Sequence, residues 1–126
     1  MIANVTLLVP GYEAGIEFFC GKLGFELVED TPLGGGKRWV RVRPAGAAGT
    51  CLLLAAADGE RQRAAIGEQG GGRVLGFLET ADFDRDHARF VAAGVRFLEE
   101  PRREPYGVVA VFEDAFGNHW DLIGPA

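Results

Sequence analysis

The feature that most constrains this chain is that its second half repeats its first. Shifted by 70 residues, Asn4 falls on Val74, Leu7 on Phe77 and Gly24 on Gly94 without a gap. Shifted by 68, Gly49 falls on Gly117, Leu53 on Asp121 and Leu54 on Leu122. Local signals agree in both copies. Residues 5–9 form a short apolar run stopped by Pro10-Gly11, the pattern of a buried strand. In YEAGIEFFCGKLG, Ile16, Phe19, Cys20 and Leu23 recur at helical spacing, and Gly24 suits the left-handed residue that ends a helix. Residues 25–29, 37–43 and 50–57 then read as three strands, the second by the alternation in KRWVRVR. The second copy starts with a strand at 74–79. A helix follows through ADFDRDHARFVAAG, with Phe83, His87, Phe90 and Val91 on its inner stripe. Strands at 95–99, 108–112 and 119–123 complete it, with PRREP a loop and EDAFGN a turn.

Two βαβββ units place the chain in the α+β class. Each helix covers one face of its sheet, and the other face must be buried or line a cavity. The expectation is an open, incomplete β-barrel cup with helices on the outer face and a cleft inside. It is a single domain over residues 1–126: repeat one at 1–57, an exposed polar, glycine-rich connector at 58–72, and repeat two at 73–126.

Bulk properties exclude several roles. A chain of 126 residues can bury one core without staples, and 48% apolar with 25% charged residues is a globular composition. The net charge of −5 argues against a nucleic-acid partner and weakly favours cationic ligands. No apolar run approaches ~18 residues, so no membrane partner is expected. The N-terminal stretch has neither a basic start nor a small-residue cleavage site, which makes the cytoplasm the expected location. Cys20 and Cys51 read as reduced core cysteines. The glycine triplets at 34–36 and 70–72 do not fit the phosphate-binding loop pattern.

Two stretches, VTLLVPGYEAGIEFFCGKLGFELVE and AAGVRFLEEPRREPYGVVAVFEDAFGNHWDLIG, resemble the vicinal oxygen chelate superfamily, the glyoxalase, bleomycin-resistance and extradiol-dioxygenase group. Ala115 stands where proline is commoner in that ending. The resemblance covers essentially the whole chain and is specific for the superfamily, not for an activity. It implies a divalent metal held by one ligand from the first and last strand of each repeat. Those positions are Asn4, Leu53, Val74 and Asp121 here. Leucine and valine cannot ligate, and one carboxylate with one amide makes a poor site. No metal site and no cofactor are therefore expected. His119 shares the Asp121 face by strand alternation. It reads either as a rim residue or, with Asp121 and Asn4, as the remnant of a metal site. The other histidine, His87, packs or faces solvent.

The cleft wall is expected to carry Asn4, Thr6 and Leu8, then Leu53, then Val74, Gly76 and Leu78, then His119 and Asp121. Gly76 leaves room for a flat ligand, and Trp39 and Tyr106 stand at the mouth. Such a mostly apolar wall with a few polar groups is the profile of a small-molecule site. Asp121 is read as a ligand acceptor or counter-ion, as the candidate catalytic base, or as a carboxylate hydrogen-bonded to Thr6 or Asn4. Arg41 and Arg43 either meet an acidic ligand or lie on an outer face, and Trp120 packs under a helix. The leading expectation is a metal-free, dimeric protein that binds a small molecule, of the bleomycin-resistance type, sequestering a planar or amphipathic compound. The alternatives are a metal-dependent lyase, isomerase or dioxygenase built around Asp121 and His119, and an interaction module without a small ligand.

Overall fold

The computed structural model describes all 126 residues. They fall into two compact units, Met1–Ile66 and Gly67–Ala126.

The first unit contains β1 (Asn4–Val9), α1 (Tyr12–Ile16) running into a π-helical segment (Glu17–Lys22), β2 (Glu26–Gly34), β3 (Lys37–Arg43), β4 (Cys51–Ala56) and α2 (Glu60–Ala65). Its open sheet has the order β1-β4-β3-β2, with β1 and β4 parallel. Leu7 pairs with Leu54, and Leu54 with Val40, so these three share the face packed under the helix. Val9 and Val42 are fully buried with them. Gly15 is needed there, since a Cβ would lie 2.9 Å from the Leu54 side chain. The expected helical stripe is only half met. The Leu23 N–H bonds to the Phe18 carbonyl, five residues back, at 3.1 Å. This wider turn lets the adjacent Phe18 and Phe19 both face the core, edge to face at 5.1 Å, while Ile16 and Cys20 are only part-buried.

The second unit contains β5 (Val74–Glu79), α3 (Phe83–Ala92), β6 (Arg96–Phe97), β7 (Arg102–Glu104), β8 (Gly107–Glu113) and β9 (His119–Gly124). Its sheet has the order β5-β9-β8-β6, with β7 also paired to β8. Ala110, Phe112, Trp120 and Leu122 form the face buried with Phe83 and Phe90 of α3. His87 stacks between Phe83 and Phe97, with centroids 5.4 and 4.3 Å away. Val91 is exposed, so the inner stripe is Phe83, His87 and Phe90 alone.

Three further expectations are corrected. The connector contains a helix, because ERQRAA is made of good helix formers. PRREP supplies strand β7, flanked by prolines at a sheet edge where a missing N–H is tolerated. The strand expected at 95–99 shrinks to Arg96–Phe97. The EDAFGN turn is set by Asp114. Its carboxylate accepts from the Phe116 and Asn118 backbone N–H groups, the Asn118 side chain and the Trp120 indole, all at 2.9–3.0 Å. Cys20 and Cys51 are both free thiols.

Candidate functional site

In each unit the helix covers one face of the sheet, and most of the candidate residues lie on the other. On the first sheet, register places Asn4, Thr6 and Leu8 of β1 beside Cys51, Leu53 and Ala55 of β4. Arg41 stands opposite Leu53 and Trp39 opposite Thr31. Arg41 organises this face. It donates to the Asn4 side-chain oxygen at 2.8 Å and to the Cys51 sulfur at 3.4 Å, and it pairs with Glu29 at 3.5 Å. Arg43 pairs with Glu26 at 2.9 Å. The charges of both arginines are thus matched by the chain itself. Trp39 keeps 36% of its surface exposed.

The second sheet departs from expectation. A β-bulge at Leu75 shifts the register between Val74 and Gly76. Val74 still pairs with His119, but Gly76 then pairs with Trp120 and Phe77 with Asp121. Gly76 and Leu78 therefore turn to the helix-covered face. The room at Gly76 is filled by the Trp120 ring, which a Cβ there would meet at 2.4 Å. Phe77 and Glu79 take their place beside Asp121 and Ile123, and Phe77 is 66% exposed. An isolated glycine in a strand pattern signals a bulge or a close approach, and that signal was present in the sequence.

Asp121 Oδ1 is shut away from solvent and has no hydrogen-bond partner. Burial pushes its carboxyl above the usual range, the nearby Glu99 charge adds to this, and Arg102 opposes it. Arg102 is held in turn by Glu99 at 3.0 Å and Glu104 at 3.1 Å. His119 lies on the same face as Asp121 but faces Glu113 at 3.7 Å, and Glu113 also pairs with Arg96. Tyr106 is 65% exposed and lines a hollow of about 230 Å³ with Glu79, Thr80, Ile123, Gly124 and Pro125.

These residues do not fit the metal that the fold implies. Leu53 and Val74 offer no donor, the Asn4 oxygen is taken by a guanidinium, and Asp121 alone is a good ligand. No three His, Cys, Asp or Glu side chains are grouped to hold an ion.

The Glyoxalase/Bleomycin resistance protein/Dioxygenase superfamily pattern matches residues 1–122. The chain belongs to that superfamily. An uncharacterized protein of Shewanella frigidimarina (strain NCIMB 400) is 47% identical over 123 residues, 97% of this chain and 91% of the relative. Among solved structures, UcmS2 superposes with a TM-score of 0.82 at 30% identity, over 98% of this chain and 96% of that one. TnmS3, an antibiotic binding protein from Streptomyces sp. CB03234, superposes with a TM-score of 0.73 at 28% identity, over 100% of this chain and 96% of that one. Phe77, Glu79, Glu99 and Arg102 are the residues that sequence reasoning missed. Only Gly76 hinted at the bulge that brings the first two to this face.

Proposed function

We propose that this protein binds a small planar or amphipathic compound without a metal ion, and acts by sequestering it. One observation carries the reading. The second sheet sets an exposed aromatic, Phe77, in register with a carboxylate whose buried oxygen has no partner, while two of the four metal positions hold leucine and valine. A buried acceptor without a partner is costly unless a ligand supplies the donor. The likeness to an antibiotic binding protein supports the same reading. A thermal-shift screen of planar antibiotics and aromatic metabolites, run in EDTA, tests it. A compound that raises Tm by several degrees in a dose-dependent way, and is recovered chemically unchanged, is the expected result. No shift from any compound overturns binding.

A second reading rests on the raised pKa of Asp121, which suits a general base in a metal-free proton transfer. Solvent deuterium washing into the bound compound, lost in Asp121→Asn, would establish it. The protein works as a homodimer in this account, because β2 and β5 end their sheets and open sheet edges favour association. Light scattering should give twice the 13.5 kDa chain mass.

A further inference from the structure

On the premise that the helix-free face of the second sheet binds a small aromatic compound, its side chains also define the charge of that compound. We infer that this face selects planar cations, with the charged group between Asp121 and Glu79 and the ring against Phe77 and Tyr106.

The placement follows from register. Phe77 pairs with Asp121, and the next pair on the same face, two residues along, is Glu79 with Ile123. Thus two carboxylates and one exposed aromatic lie within two successive pairs. The hollow of about 230 Å³ begins at the second pair and brings in Tyr106. It is smaller than a typical drug-sized site, which suits the charged edge of a ring system rather than a bulky substituent. Both aromatics are largely exposed, with ring surface free to stack. A cation is drawn to such a π-face, and a neutral ring gains less there.

Charge points the same way. Glu79, Glu99, Glu104, Glu113 and Asp121 share this face with only two arginines, Arg96 and Arg102. Arg102 is occupied by Glu99 and Glu104, and Arg96 by Glu113. Neither is left to receive an anion. Glu79 is exposed and outside these pairs. Asp121 is part-exposed, and one of its oxygens has no donor from the chain, so its charge is left to attract a cation held at this face.

The test uses three planar probes of similar size at pH 7, titrated calorimetrically: 9-aminoacridine (cationic), acridine (neutral) and anthracene-9-carboxylate (anionic). The cation is expected to bind at least tenfold more tightly than acridine, and the anion more weakly than either. Asp121→Asn and Glu79→Gln, each verified as folded by circular dichroism, should cut the preference for the cation over acridine about three- to tenfold. Phe77→Ala should weaken the cation and acridine together. Equal binding of cation and neutral probe, or a preference that survives both carboxylate substitutions, overturns the inference and leaves small-molecule binding intact. Failure of all three probes, where the wider screen finds a ligand, also overturns it. Failure of every compound removes the premise as well.

Discussion

Asp114 accepts four hydrogen bonds inside the turn before β9, whereas the Oδ1 of Asp121, seven residues later, accepts none. The same side-chain chemistry therefore has opposite energetic signs at the two positions. Removing Asp114 strands buried donors on Asn118 and Trp120, so Asp114→Ala should cost roughly 3–5 kcal/mol in urea denaturation. Asp121 behaves in the other sense. Its folded-state pKa lies above the ordinary value of 3.8, so the native state holds that proton more tightly than the unfolded chain. Its contribution to stability is complete below the unfolded pKa and is lost as pH rises through the folded one. At pH 7 the ionised group is a cost. Asp121→Asn should raise Tm at pH 7 by about 1–3 °C, a small shift because solvent screens this part-exposed carboxylate. The difference should close below about pH 4. Scanning calorimetry across pH 3–8 checks both the sign and the window.

At the scale of elements, most strands could be read in advance because their signals are local. KRWVRVR alternates and folds as Lys37–Arg43, and VLGFLE folds as Val74–Glu79. What escaped was phase. Strand β5 has the expected bounds, yet its bulge turns Gly76 and Leu78 inward and Phe77 and Glu79 outward. One inserted residue inverts the rest of a strand, and composition alone does not place it. The π-helical turn that buries Phe18 beside Phe19 is a similar case, since helical periodicity predicts only one of that pair. The short strand β7 and helix α2 were hidden by neighbouring prolines and glycines. Packing fixes the phase of β5. Gly76→Ala would push a Cβ into the Trp120 ring, and should destabilise the fold by about 1–3 kcal/mol. A matching Gly11→Ala change, where nothing lies within 4 Å, should be nearly neutral, and chemical denaturation of the pair separates crowding from the general effect of losing glycine.

For the molecule as a whole, the internal repeat gave the α+β class, the resemblance of its first and last stretches gave the family, and both stand. It could not give the activity, because the fold supports many. The absence of a side-chain donor at two of the four positions was legible because it rests on residue identity: Leu53 and Val74 are apolar in any register. The residues of the helix-free faces were less legible because they depend on side-chain direction, which is why Phe77 and Glu79 were missed while Asn4, Thr6 and Leu8 were placed with Leu53. No helix of the chain is long and apolar enough to cross a membrane. Small-molecule binding here is expected to need no metal. It is tested most directly by titrating one compound from the thermal-shift screen into the protein twice, once in EDTA and once after loading with Mn, Fe, Ni or Zn. The same Kd within about twofold is expected, with no metal at stoichiometric level in protein purified without chelator. Binding that appears only with the metal, or a tightly held ion that Asp121→Ala releases, would contradict it.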